Sequence, residues 1–239
     1  IAVRDNSIKV YKDKIRAEQL QQTAPLFRGN SGIGHTRWAT HGEPNQANAH
    51  PHCDCTGKIA VVHNGVINNY QSLKDGLIAE GHRFLSETDT EVIAHLIEKY
   101  YQGDIEKATA TALKEIEGCY AVAVLIAGDA RLVVAKKGNP LLIGIGKGEN
   151  IIASDVTALL EITNRVIYLQ DGDIGVIDAG QVKINNNGTK VSREATAISW
   201  KANDIKKGGY DHFMIKEIHE TPRVIRDTIL EYAAAENPE

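Results

Sequence analysis

The sequence predicts an α+β domain in which antiparallel sheets are covered by helices. Helical periodicity is gathered into a cluster between residues 71 and 116 and into the C-terminal segment, and strand-like runs flank that cluster. Strands and helices do not alternate as a βαβ domain requires. With 239 residues, of which 42% are apolar and 24% charged, the chain can bury a real core.

In chain order, Ile1-Ala2-Val3-Arg4 and Ile8-Lys9-Val10-Tyr11 read as two short strands around a turn at Asp5-Asn6-Ser7. Lys14 to Gln22 is weakly helical. His35 to His52 has no period and reads as a long loop, and its two prolines, one Trp and four histidines argue against disorder. Ile59-Ala60-Val61-Val62 is a buried strand, expected to break at His63-Asn64-Gly65. Gln71 to Glu80 is a helix stopped by Gly81. Ser86 has an acidic residue three positions on, which predicts a capping box opening the next helix. Val92, Leu96, Ile97 and Tyr100 form its apolar face, and Ile105 to Ile116 is a third helix. The strands Cys119 to Ile126, Arg131 to Lys136, Leu141 to Ile145 and Ile151 to Ala153 follow, then a short helix from Asp155 to Ile162. Val166 to Leu169, Asp173 to Ile177 and Gln181 to Ile184 are further strands, divided by Asp-Gly and Ala-Gly turns. His212 to Ala235 is a helix, expected to be interrupted at Thr221-Pro222.

Composition excludes several functions. Twenty-seven basic residues against 31 acidic ones leave a net charge of −4, unsuited to non-specific nucleic-acid binding. The longest apolar run, Tyr120 to Ala127, is far short of the roughly 20 residues of a membrane helix. No secretory signal is recognisable. Three cysteines cannot build a disulfide framework, which favours a reducing, cytoplasmic setting.

A phosphate-binding loop and an H-E-x-x-H zinc motif are both absent. Gly144-Ile145-Gly146-Lys147-Gly148 lacks a following helix and reads as a hairpin turn. His50-Pro51-His52-Cys53-Asp54-Cys55 has metal-ligand chemistry, but no second Cys/His pair of suitable spacing follows. It reads as a surface hairpin, and neither a metal nor a cofactor is expected. His35 to Pro44 is the densest polar segment: the Arg37 fork suits a carboxylate, Thr40 and His41 add donors, and Trp38 can cover a small ligand. A solvated loop is the other reading. The Asn64 amide and a Gly65 N–H make a sensible pair of oxyanion donors, or simply an Asn-Gly turn. Asp89 suits an ammonium group, or is a first-turn helix acid. Together these are the fittings for an amino-acid amide, without a nucleophile.

These segments, His35 to Pro44, Asn48-Ala49-His50-Pro51-His52, Val62-His63-Asn64-Gly65 and Ser86-Glu87-Thr88-Asp89-Thr90-Glu91, resemble the glutaminase domain of the glutamine–fructose-6-phosphate amidotransferase (glucosamine-6-phosphate synthase) family. Ile152-Ala153-Ser154-Asp155 and Met214 to Glu220 fit it as well, the latter resembling the link toward a sugar-isomerase half. The resemblance implies an N-terminal-nucleophile hydrolase fold, an αββα sandwich of antiparallel sheets. Residues 1–221 would form the amidotransferase domain, and 222–239 the linker or start of an isomerase domain. It implies hydrolysis of glutamine, with ammonia passed to fructose 6-phosphate on a C-terminal isomerase domain outside this sequence, in a cytoplasmic homodimer that binds neither nucleic acid nor membrane. Asn64 and Gly65 match the oxyanion positions. Arg37, Thr40, His41 and Asp89 match glutamine-holding positions, Trp38 a loop that closes over the site, and His50 a supporting loop residue.

In that family the nucleophile is an N-terminal cysteine whose own α-amine is the base. Ile1-Ala2-Val3 resembles the strand after the family's Tyr-Arg-Gly-Tyr-Asp-Ser-Ala-Gly segment. The expectation is therefore that the first strand, first helix and cysteine lie outside the sequence as written, and that this stretch alone neither forms the acyl-enzyme nor folds stably. The competing readings are a non-catalytic glutamine-binding or regulatory module, and a class II amidotransferase with a different acceptor.

Overall fold

A computed structural model describes residues 2–4, 7–27, 29–199 and 208–236. Two units separate, residues 1–197 and 198–239. The Asp5-Asn6 turn and the helix stop at Asn237-Pro238-Glu239 lie outside the described residues.

In the first unit, β1 (Ala2–Arg4), β2 (Ile8–Val10) and β3 (Ser31–Ile33) form a small antiparallel sheet in the order β2-β1-β3, with α1 (Ala17–Thr23) between β2 and β3 in the chain. The central sheet has seven strands, all antiparallel. Its members are β4 (His52–Cys53), β5 (Ile59–Ile67), β6 (Gly118–Ile126), β7 (Leu132–Lys137), β11 (Asp173–Ile177), β12 (Val182–Asn186) and β13 (Thr189–Val191). A third sheet orders β14 (Thr196–Ala197), β10 (Arg165–Tyr168), β8 (Leu142–Ile145) and β9 (Asn150–Ala153) as β14-β10-β8-β9. The β8–β9 connection is the expected glycine-rich hairpin, closed by the Gly146 N–H donating to the Glu149 carbonyl (3.0 Å).

Strand alternation divides the interior into two cores. Ile59, Val61, Val122 and Val124 face α2 (Tyr70–Ala79), α3 (Glu91–Tyr100) and α4 (Ile105–Ala112), meeting Leu77, Ile93, Leu96, Ile97 and Ile105. Ala60, Val62, Ala121, Ala123 and Leu125 face the other way and meet Ile33, Leu141, Ile143, Ile167 and Leu169. The layers are thus helices, central sheet and second sheet, as the fold class predicts.

Five local expectations are corrected. β5 does not break at His63-Asn64-Gly65; all three stay paired, opposite Val122, Ala121 and Tyr120. A nine-residue ladder outweighs the turn preference of Asn-Gly, and Gly65 takes φ +139°, where an added Cβ would lie 2.1 Å from the Cys119 carbonyl oxygen. Ser86 does not cap α3. Its hydroxyl donates to Glu91 Oε2 (2.6 Å), and Glu91 also accepts the N–H groups of Leu85 and Ser86 (2.8 and 2.7 Å), so the helix begins five residues later. The third helix ends at Ala112 and tightens into a 3₁₀ turn at Leu113–Glu115. Residues 50–55 are not a surface hairpin, because His50, His52 and Asp54 are buried. In the second unit, α5 (Phe213–Glu236) runs through Pro222 without interruption.

Candidate active site

Three segments supply most of the lining of one cavity of about 270 Å³, the loop from Gly34 to Pro51, the C-terminal half of β5, and the Thr88-Asp89-Thr90 approach to α3, and Cys119 of β6 and Asn139 after β7 complete it. Its lining includes Arg37, Trp38, Thr40, His41, His50, Asn64, Gly65 and Asp89, so every site residue named from the sequence is brought together there. The volume is close to the lower end of small-ligand pockets, about 300 Å³. A larger cleft of about 680 Å³ opens between the sheets beside it, lined by Ile33, Val62, Ala121, Leu141 and Ile152 and sharing His35, Arg37 and Asn64.

Asn64 is oriented by His35, a residue the sequence reading did not single out. The Arg37 N–H donates to His35 Nδ1 (2.8 Å), so that nitrogen must be the acceptor and Nε2 must carry the proton. Nε2 lies 2.7 Å from the Asn64 side-chain oxygen, which therefore accepts. The amide assignment follows from this chain of donors, and it leaves Asn64 Nδ2 with its two N–H groups for the cavity. Burial pushes the His35 pKa down, which keeps the ring neutral and this tautomer in place. Asn139 Nδ2 donates to the Asn64 carbonyl (2.7 Å), fixing the same residue from its main chain.

The His35 ring stacks on His50 at 4.2 Å between centroids, and His50 meets His52 edge-on at 4.9 Å. Burial holds both His50 and His52 well below the ordinary imidazole range, His52 at about 3. His63 is also depressed by burial, although Asp89 opposes the shift; its Nδ1 meets Thr90 Oγ1 at 3.0 Å. The floor of the site is therefore a set of neutral rings.

Arg37 sits at φ +48°, a left-handed conformation uncommon for a side-chain-bearing residue. Its guanidinium closes the loop, donating to the carbonyls of His41 (2.7 Å), Gly42 (3.0 Å) and Glu43 (3.2 Å). Three of its five N–H groups are thereby used by backbone. Asn48 clasps this loop to the one before α3, donating to the Glu43 carbonyl and Glu87 and accepting the Glu87 N–H (2.9 Å). Asp89 is 3% exposed; its Oδ2 accepts the Ile67 N–H (2.9 Å), and Oδ1 stands 3.8 Å from His41 Nδ1. Trp38, by contrast, is 91% exposed at the cavity mouth.

This geometry offers amide N–H donors beside a buried carboxylate and a cationic fork, with an exposed indole at the mouth. Residues 35–161 match the glutamine amidotransferase domain family. Among similar proteins, the glutamine–fructose-6-phosphate aminotransferase (isomerizing) of Methanothermobacter thermautotrophicus is 49% identical over 97% of this chain and 40% of its own length. That of Pyrococcus horikoshii is 52% identical over 84% of the chain and 34% of its own length, and that of Thermus thermophilus 48% over 96% and 39%. The chain thus spans about two-fifths of the length of the relatives it matches. Among solved structures, the glutamine phosphoribosylpyrophosphate amidotransferase of Bacillus subtilis superposes with a TM-score of 0.66 at 26% identity, covering 77% of this chain and 42% of that one.

Proposed function

We propose, for a chain that belongs to the glutamine amidotransferase family, that it is the glutaminase half of an enzyme that aminates fructose 6-phosphate, acting in amino-sugar biosynthesis in the cytoplasm. The observation that carries this reading is the single cavity in which the His35–Asn64 pair turns an amide donor inward beside Asp89 and Arg37. The identity to the aminotransferases supports the choice of acceptor.

In this reading glutamine enters with its α-ammonium toward Asp89 and its α-carboxylate toward Arg37, Thr40 and His41. A thiolate attacks the side-chain amide carbon. Asn64 Nδ2–H and the Gly65 N–H stabilise the oxyanion that forms. The α-amine that took the thiol proton passes it to the leaving nitrogen, so that collapse expels ammonia and leaves a thioester, which water cleaves to glutamate and the free thiol. The thiol is the family's N-terminal cysteine, which residues 1–239 do not include. Trp38 swings over the mouth to exclude water, and His50 supports His35 by stacking. Ammonia then reaches fructose 6-phosphate on an isomerase domain that continues from residues 222–239, in a full-length homodimer.

The test uses the full-length protein. Glutamine should yield glutamate and ammonia, and with fructose 6-phosphate it should yield glucosamine 6-phosphate; Asn64→Ala should lower kcat by about 10²–10³-fold. Glutamine binding without ammonia release would replace this reading with a regulatory module. Ammonia release without amino-sugar formation would point to a different acceptor.

A further inference from the structure

Outside the cavity, four side chains from three separate elements aim their donor atoms at one point. Cys55 lies in the turn between β4 and β5, His82 follows the end of α2, and His95 and Glu98 stand one helical turn apart on α3. The Cys55 Sγ, a ring nitrogen from each histidine and a Glu98 carboxylate oxygen all lie within 4.8 Å of one another. We propose that Cys55, His82, His95 and Glu98 bind one zinc ion with tetrahedral geometry, clamping the β4–β5 turn and the end of α2 onto α3. This inference does not rest on the proposed glutaminase activity.

The spacing is that of a coordination shell. Cys55 Sγ is 3.8 Å from His82 Nδ1 and 3.6 Å from His95 Nδ1, while Glu98 Oε2 is 2.8 and 3.2 Å from the same two nitrogens. Around a tetrahedral zinc with bonds of about 2.3 Å to sulfur and about 2.0–2.1 Å to nitrogen and oxygen, the ligand–ligand edges are about 3.5 Å for S···N and about 3.3 Å for N···O. Three of the four measured edges lie within about 0.3 Å of those values, and the fourth needs a shift of about half an ångström. One thiolate, two imidazoles and one carboxylate are a donor set suited to zinc.

The arrangement around His95 strengthens the case. The residue is fully buried, and its Nε2, which makes no hydrogen bond, faces Glu91 Oε1 at 3.7 Å. Both histidines present Nδ1 to the same Glu98 oxygen, which also receives the Cys55 N–H (3.2 Å). With a cation on Nδ1, the remaining ring nitrogen Nε2 faces Glu91, the outer carboxylate arrangement common at histidine–zinc sites. The Arg83 N–H donates to Cys55 Sγ (3.3 Å), which holds the sulfur beside the two histidines. Cys55 is exposed, so an ion can enter from solvent, and binding releases its thiol proton to water.

The full-length protein should be stripped with a chelator and then titrated with Zn²⁺ and, separately, Co²⁺. The expected result is one ion per chain and a cobalt spectrum with tetrahedral ligand-field bands and a thiolate charge-transfer band. Zn²⁺ should also protect Cys55, located by peptide mass mapping, from alkylation. Losing an outer partner alone costs about 10–100-fold in affinity, so Cys55→Ser and His82→Ala should each weaken binding by about 100-fold or more. Cys55→Ser, an exposed and nearly isosteric change, should keep the wild-type circular dichroism. Failure of the wild type to take up either ion, with Cys55 alkylation unchanged by Zn²⁺, overturns the proposal. So does a folded Cys55→Ser protein with wild-type affinity and the same cobalt spectrum.

Discussion

Replacing His35 with phenylalanine keeps a ring stacked on His50 but removes both nitrogens that orient Asn64. In the native site the Arg37 N–H fixes the His35 tautomer, and that tautomer holds the Asn64 oxygen at 2.7 Å, leaving the amide N–H groups to the cavity. Without the ring N–H, the two flipped states of the amide differ by roughly the net worth of one hydrogen bond less, about 0.5–1.5 kcal/mol. That corresponds to a change of about 2–13-fold in the ratio of the two states, and to a loss of at most that factor in the population with a donor facing the cavity. Deleting the donor outright, as in Asn64→Ala, should cost about 10²–10³-fold. The assay is steady-state glutamate release by the full-length protein. His35→Phe should lower kcat by about twofold to at most about tenfold, with little change in KM. Because His35 acts through Asn64, adding His35→Phe to Asn64→Ala should cost almost nothing further. A double variant whose loss is the product of the two single losses would refute the positioning role, as would a His35→Phe defect confined to KM.

Three further outcomes follow from the same geometry. Asp89→Asn keeps an oxygen for the Ile67 N–H but removes the charge that the proposed function sets against the glutamine ammonium. KM for glutamine should rise about 10–100-fold at nearly constant kcat, from about 1.5–3 kcal/mol for a charged hydrogen bond, and an unchanged KM would remove Asp89 from the binding site. Gly65→Ala forces a Cβ to within 2.1 Å of the Cys119 carbonyl oxygen at φ +139°, so β5 must shift. Thermal unfolding should register a loss of about 1–3 kcal/mol and glutaminase activity should collapse, whereas wild-type turnover would show that Gly65 is not at the oxyanion. His52 is held by burial at about 3 against an ordinary 6.5, so the unfolded chain binds its proton first on acidification. Its contribution to stability is present above about pH 6.5 and declines as pH falls toward about 3, by about 2 kcal/mol between pH 7 and pH 5. Urea denaturation at the two pH values should show at least that loss, to which His35, His50 and His63, also depressed by burial, add, and His52→Gln should reduce it by about 2 kcal/mol.

What could be read from the sequence and what could not divides along a physical line. The cavity residues lie in a few dense stretches, each with chemistry visible in place: a fork at Arg37, an amide at Asn64, a carboxylate at Asp89. Their convergence needed only three segments to meet. The fold class was legible because helical periodicity is gathered between residues 71 and 116 with strand-like runs on either side, whereas Ile59 to Val62 is apolar throughout and does not reveal in sequence that its alternate residues face two cores. Local preference failed where long-range pairing outweighed it. Asn64-Gly65 favours a turn, yet nine consecutive pairs with β6 hold it in a strand. Ser86 favours a cap, yet the Glu91 carboxylate takes its hydroxyl and two nearby N–H groups.

The less visible features depend on relations between distant residues. His35 matters through a tautomer set by Arg37 and read out by Asn64, 29 residues away, and no local pattern encodes that. The Cys55–His82–His95–Glu98 cluster was passed over for a related reason. A search for paired ligands stops at His50 to Cys55, whose histidines turn inward to stack against His35 and bond Thr88. Cys55 alone turns the other way and meets ligands contributed by a loop and a helix. The i, i+3 spacing of His95 and Glu98 was the available signal, since it puts both on one helix face. It becomes informative only once α3 is known to pack beside the β4–β5 turn. The same helix thus serves two ends: Asp89 just before its start lines the cavity, while His95 and Glu98 one to two turns later anchor it. Metal binding at the second end would therefore stiffen the element that carries the buried Asp89 carboxylate at the first.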